Sequence, residues 1–309
     1  MNGRLLFDLP REQYDNLEAE NWSVLKKMGQ SPAHYLYAKK NREESDRDLL
    51  IRGSAGHVAT LEPEKYGGHF ADEMPLVPDG SLYAIWPKEN QNRGSNAYKA
   101  FEVNCRQTNR IPLREVDHDW CMAIATAVRS SPAAQKYLEG PREVSMRWDH
   151  VEPAVGNLPA FTIPMKGRVD KVAMRGGKGF ALVDMKSTVR ADHDSFAKAA
   201  SSKELRYDAQ AALYQDGYFA CTGLRLPFYW IAVEATPPHP VCVYRARDIE
   251  LELGRRHYRD LLQRLHVCQQ TEDFPPYARH EMDLMFPDWL LKAQAEALGD
   301  LIFADEEAA

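Results

Sequence analysis

The run Phe180-Ala181-Leu182-Val183-Asp184-Met185-Lys186 is apolar at nearly every position, yet it carries two charges at its end. Side chains on a strand alternate between faces, so Phe180, Leu182, Asp184 and Lys186 share one face and Ala181, Val183 and Met185 the other. A second strand-like run, residues 161–174, contains Gly167-Arg168-Val169-Asp170. Between the two lies Arg175-Gly176-Gly177-Lys178-Gly179, a strong turn signal. Folding about Gly176 and Gly177 sets Asp170 across from Asp184, give or take one residue.

The same reading places strands at residues 144–148, at the aromatic and branched run 227–234, and at 241–245. Helical spacing marks residues 11–40, broken by a loop at 29–32, and residues 49–61. In residues 117–129 the apolar positions Trp120, Ile124 and Val128 recur every four residues. Pro132 suits the first turn of a further helix through residue 137. Tyr207, Gln210, Tyr214 and Tyr218 fall at spacings of three and four and so share one helix face, which ends near Gly223. Residues 250–268 read as a long helix. The central order βββαβ with helices before and after predicts an α/β fold, a central mixed sheet flanked by helices with an N-terminal helical region. A single domain over residues 1–309 is expected: a mainly helical part at 1–140 carrying His57, a core at 141–270 and a tail at 271–309. Residues 90–96 read as a polar loop and the acidic residues 304–309 as a frayed terminus.

Composition narrows the class. With 309 residues, 44% of them hydrophobic, the chain can bury roughly three quarters of its unfolded surface and needs no disulfide staples. There is no basic segment followed by an apolar one at the start, and no apolar run near the roughly 18 to 20 residues of a membrane span. Five scattered cysteines fit reduced thiols in a cytoplasm. None has CxxC spacing, which argues against an iron–sulfur cluster. The net charge is −6, but for a nucleic-acid partner the distribution of charge decides, not its sum. Lys166, Arg168, Lys171, Arg190, Lys198, Lys203 and Arg206 flank the two acids. Arg52, Arg168, Arg190, Arg206 and Tyr207 are the candidates for contact with a nucleic acid, should one be the partner.

Two carboxylates held close repel unless a cation joins them, and hard oxygen ligands suit Mg²⁺ or Mn²⁺. In Arg52-Gly53-Ser54-Ala55-Gly56-His57 small residues let a backbone pass close to another element. His57 is either a neutral imidazole ligand or a hydrogen-bonded packing residue. Gln210 and the tyrosines either hold a phosphate or a water, or simply half-bury a helix face. Gly176-Gly177-Lys178-Gly179 is no phosphate loop, because it lacks GxxxxGK[ST] spacing and opens a strand.

The order Gly-Ser-Ala-Gly-His, Gly-Arg-Val-Asp, Asp-Met-Lys-Ser-Thr and Gln-Ala-Ala-Leu-Tyr resembles the PD-(D/E)XK nuclease superfamily. Gln210 and Tyr214 match the QxxxY signature of its RecB-type branch, and the likeness is closest to the exonuclease VIII (RecE) nuclease domain and similar phage-borne exonucleases. The resemblance implies that Asp170, Asp184, the backbone carbonyl of Met185 and His57 hold the metal. It implies that Lys186 positions or activates the attacking water, and that Gln210 and Tyr214 steady the site or the phosphate. Glu143 is a further candidate that either reaches the site or ends a strand. Ser187-Thr188 stands where Thr-Thr is commoner. The implied activity is Mg²⁺-dependent digestion of linear double-stranded DNA from its ends, 5′ to 3′, leaving single-stranded 3′ tails for recombination. Implied partners are DNA ends, a homo-oligomeric ring of three or four subunits, and a single-strand annealing protein. The alternative is an endonuclease, or a nuclease of the CRISPR-adaptation type, cutting internally, since the motif defines hydrolysis and not polarity. A non-enzymatic DNA-binding module with a relic site is the third reading.

Overall fold

A computed structural model describes residues 3–41, 47–70, 81–87, 92–154, 156 and 159–290. The expected frayed terminus at 304–309 and part of the polar loop at 90–96 lie outside these residues. Strand β1 (Gly3–Leu6) opens the chain, followed by helices α1 (Arg11–Asp15) and α2 (Trp22–Leu25), a 3-10 turn (Lys26–Gly29) and α3 (Pro32–Lys40). Then come α4 (Arg47–Leu61), α5 (Pro63–Tyr66), β2 (Gly67–Phe70), β3 (Tyr83–Trp86), α6 (Asn96–Gln107) and β4 (Ile111–Arg114). Helices α7 (Glu115–Ser130) and α8 (Pro132–Gln135) lead to strands β5 (Arg142–Glu152), β6 (Phe161–Arg175) and β7 (Lys178–Thr188). Helices α9 (His193–Ser201) and α10 (Tyr207–Thr222), strands β8 (Phe228–Glu234) and β9 (Val241–Arg245), and α11 (Asp248–Thr271) complete the order.

The central sheet has the strand order β1-β5-β6-β7-β8-β9. Every neighbouring pair is antiparallel except β7 and β8, which run parallel. A parallel pair needs a crossover, and α9 and α10 supply it. The β6–β7 hairpin turns at Gly176 and Gly177, both at positive φ (55° and 77°), which glycine adopts without a Cβ penalty.

Alternation along β7 builds two cores. Leu182 joins Val144, Met146 and Val169 under Ala209, Ala212 and Leu213 of α10 and Leu261 of α11. Ala181, Val183 and Met185 join Ile231 and Val233 under Ile124 and Val128 of α7. The sheet is therefore an α/β layer covered on both faces, the mixed sheet with flanking helices that the pattern predicts. The part expected to be mainly helical also holds a second sheet, β2-β3-β4, with parallel pairing. The residues divide into two units, Met1–Phe274 and Pro275–Ala309. In the second, the described residues are irregular up to a short helical turn where Leu290 N donates to Pro287 O at 2.9 Å.

Candidate active site

Asp170 and Asp184 arrive from adjacent antiparallel strands. The ladder step of β6 and β7 beside them pairs Lys171 with Val183, so one step further the two aspartates face each other. Opposite Asp170 on its other side, the β5–β6 ladder skips a pair: Arg142 matches Lys171 and Val144 matches Val169. The residue left over is Glu143, held at a φ of 47°. A left-handed backbone at a non-glycine residue is costly and marks over-determined places. Here it turns Glu143 out of the ladder and within electrostatic reach of Asp170 and His57.

His57 comes from α4, and contacts along and just beyond that helix hold it in place. Gly56 rests on the Trp120 ring of α7, where a Cβ would stand 2.9 Å from a ring carbon. This is the close approach that the small residues around His57 allow. Trp120 in turn donates its indole N–H to Ala235 O at 2.7 Å, tying α7 to the sheet. At the C-terminal end of α4, Arg129 Nε donates to Thr60 O at 3.0 Å and Arg142 Nε to Glu62 Oε2 at 3.0 Å.

His57 Nδ1 lies 3.2 Å from Asp170 Oδ2, which also accepts a hydrogen bond from Met185 N at 2.8 Å. Burial opposes charge on His57, but the Asp170 carboxylate beside it outweighs burial and holds the imidazole above its ordinary range. Asp170 shows the mirror effect: burial pushes it up, while His57 and then Lys186 hold it below the usual carboxylate range. Lys186 Nζ is 2.5 Å from Asp184 Oδ2. The contact is electrostatic without the alignment of a hydrogen bond, so this buried oxygen has no donor in line. Burial first, and Asp170 after it, push Asp184 up to about 6 against the pull of Lys186. Lys186 itself is raised, because Asp184 and Asp170 outweigh its burial.

Gln210 and Tyr214 lie one turn apart on α10, with Gln210 Nε2 donating to the Tyr214 hydroxyl at 3.3 Å. Tyr214 packs over Gly167 of β6, where a Cβ would meet its ring at 3.0 Å. Tyr207 begins the helix, and Lys186 Nζ sits 4.8 Å from the centre of its ring. The structure thus gathers Asp170, Asp184, Lys186, His57, Glu143, the Met185 backbone, Gln210, Tyr214 and Tyr207 around the facing middle stretches of β6 and β7.

The basic residues near the two acids divide into some that turn inward and some that face solvent. Lys166 is buried and its ammonium donates to the carbonyls of Tyr14, Asp15 and Leu17 at 2.9 to 3.0 Å. Arg168 donates to Leu9 O and Ser145 Oγ, lies 4.4 Å over the Tyr14 ring and reaches Glu143 at 3.7 Å. Lys171 is buried; its burial first, and Arg142 after it, bring it down to about 8. Arg206 forms a two-pronged pair with Asp208, and Arg52 lies over Trp120. Arg190 is exposed and pairs with Asp192, while Lys198 and Lys203 are exposed. Tyr14, which braces Arg168 and Lys166 beside the site, carried no signal in the sequence. It sits in a helix of five residues, too short to show a period.

The donor chemistry fits a hard divalent cation: two facing carboxylates, one with a buried oxygen lacking an aligned donor, and a third carboxylate and an imidazole beside them. Among the described residues no three His, Cys, Asp or Glu side chains stand together at coordination spacing. His57 holds Asp170 and Lys186 holds Asp184, so a cation bound by both acids would displace part of these pairs.

A mixed sheet covered by helices, with two acids and a lysine brought together on adjacent antiparallel strands, is the arrangement of a PD-(D/E)XK-type domain. Residues 21–282 match the family described as a PDDEXK-like domain of unknown function (DUF3799), and the chain belongs to that family. Among solved structures the chain resembles the crystal structure of a "Putative exonuclease" from Eubacterium rectale, with 17% identity, a TM-score of 0.55, and coverage of 94% of this chain and 99% of that one. At that identity the likeness speaks for the fold. No curated protein matches the chain. Family and fold together support a nuclease.

Proposed function

We propose that this protein is a Mg²⁺-dependent exodeoxyribonuclease that degrades linear double-stranded DNA, 5′ to 3′, leaving 3′ single strands for recombination. The observation that carries the nuclease reading is the pairing of half-buried Asp170 with buried Asp184, with Lys186 against Asp184. The finer reading, ends and polarity, leans on the RecE-like order of motifs.

Asp170, Asp184, the Met185 carbonyl and His57 would hold the ion, with Glu143 as a further acid. Bound there, Mg²⁺ supplies Lewis acidity to the scissile phosphate and to water. The chain's own groups do the rest. Lys186 carries a fixed positive charge in a buried site, where it stabilises charge developing on phosphate oxygens more than it would in water. The Gln210 amide and the Tyr214 hydroxyl offer neutral hydrogen bonds that orient phosphate or water without competing for the acids.

The test uses end-labelled linear duplex and covalently closed circles with Mg²⁺. Linear DNA is digested, circles survive and EDTA stops the reaction. Asp184→Asn removes activity and Mn²⁺ binding together. Lys186→Ala lowers kcat about 10²-fold or more while calorimetry still shows Mn²⁺ binding. Rapid nicking of closed circles favours the endonuclease reading, and full activity after exhaustive chelation rejects the site.

A further inference from the structure

Among the described residues the Lys186 ammonium contacts two groups, Asp184 Oδ2 at 2.5 Å and the face of Tyr207 at 4.8 Å from the ring centre. The first contact is compromised by the chemistry proposed above. A cation held by Asp184 draws on the same carboxylate that holds Lys186, and two cations on one carboxylate repel. The aromatic face has no such rival. It attracts an ammonium through its quadrupole and carries no charge for a metal to take.

We propose that Tyr207 is the positioning residue for Lys186, acting through its ring face and not its hydroxyl. This rests on the nuclease reading of the site. The surroundings of Tyr207 fit the role. Its hydroxyl makes no hydrogen bond among the described residues, and its ring stands beside Phe196, 6.2 Å between centres. The backbone that delivers it is set at a fixed angle. Arg206, immediately before it, has a φ of 44°, a left-handed conformation that a side chain bears only when its surroundings enforce it. Two bonds from the Arg206 guanidinium to Asp208 at 2.9 and 2.8 Å, and one from Arg206 N to Ser202 O at 3.0 Å, enforce it. Helix α11 closes the arrangement from behind, with Gly254 so near that a Cβ would lie 2.3 Å from Asp208 O. The first turn of α10 is thus locked on both sides, and Tyr207 is aimed at Lys186. A residue that only touched DNA would not need this.

The test compares Tyr207→Phe, which keeps the ring, with Tyr207→Leu, which keeps bulk alone. On linear duplex with Mg²⁺, Leu lowers kcat about tenfold, as befits loss of a partly buried cation–π contact, and Phe restores most of it. The KM for DNA and the calorimetric Mn²⁺ affinity stay at wild-type values in both. A second readout needs no activity: amine-reactive labelling of Lys186, followed by mass spectrometry, speeds up in Leu and not in Phe. The proposal falls if Phe loses as much as Leu, which assigns the role to the hydroxyl. It falls equally if Leu acts on KM, which makes Tyr207 a DNA contact, or if Leu leaves Lys186 labelling unchanged. Where Leu fails to fold, Tyr207→Met takes its place in the same comparison. If the wild type cuts no DNA, the nuclease reading fails while the labelling series still decides the ring contact.

Discussion

Glu143 shows what a single residue costs at such a site. Burial first, and the Asp170 carboxylate after it, push its carboxyl up to about 7, although its side chain is 35% exposed and water screens part of that. The folded state thus binds a proton that the unfolded chain has released, so this group's contribution to stability falls as pH rises from about 4.5 to about 7. Glu143→Gln should therefore raise the melting temperature at pH 8 without divalent cations, and the gain should fade at pH 4. Thermal melts at the two pH values, with and without Mn²⁺, check this; equal gains at both would mean that the effect is not the carboxylate's charge. The acids and the lysine were legible in the sequence, because alternation alone puts Asp184 and Lys186 on one face. Their partners were not. That Glu143 steps out of its ladder, and that Arg168 turns inward to Tyr14 instead of outward to DNA, depends on a backbone irregularity and on a contact across 154 positions (168 − 14).

At the scale of elements, two glycines predict opposite outcomes. Gly254 of α11 lies against the backbone of Asp208, and a Cβ there would stand 2.3 Å from a carbonyl oxygen. Backbone cannot rotate away, so Gly254→Ala should cost ~3 kcal/mol or more by forcing α11 off α10. Gly53 of α4 has nothing within 4 Å of its missing Cβ, so Gly53→Ala should stabilise by about 0.5–1 kcal/mol through helix propensity alone. Denaturant midpoints of the two variants decide it, and a neutral Gly254→Ala would mean that the helices are not in contact there. The long elements were readable. Strands β6 and β7 and helices α7, α10 and α11 are long enough for their apolar runs or spacings to show, and Gly223 at a φ of 74° stops α10 where the chain suggests. Strand β1 and the sheet of β2, β3 and β4 were not, because each strand has four residues. Four residues hold too few alternations to betray a strand without its neighbours.

For the molecule as a whole, electrostatics bears on how DNA is retained. The net charge is −6, and Lys166 and Lys171 are buried while Arg168 is committed inward. Three of the cations nearest the two acids thus do not face solvent, and each phosphate contact contributes a slope of only about −0.9 in log affinity against log salt. We therefore expect retention by enclosure, in a homo-oligomer of three or four subunits, as the RecE-like resemblance implies; closed rings are a common solution for identical subunits. Sedimentation should give a species well above the 35.2 kDa chain, and digestion in progress should survive a trap of unlabelled competitor DNA. A monomer at working concentration would reject enclosure. Among the described residues no helix is long and apolar enough to cross a membrane.

The contact between His57 and Asp170 joins positions 113 residues apart (170 − 57). Helix α4 leaves the ribosome long before β6 and β7 exist, so a nascent chain that ends before β7 carries no complete centre. The entropy of closing that long loop is recovered only when the sheet and its covering helices have formed around it. On the nuclease reading, cleaving power is thus expected to appear only once the sheet and its covering helices have formed. Refolding from denaturant should return cleavage no earlier than near-ultraviolet circular dichroism; cleavage that came back first would show that the centre assembles without the rest of the fold.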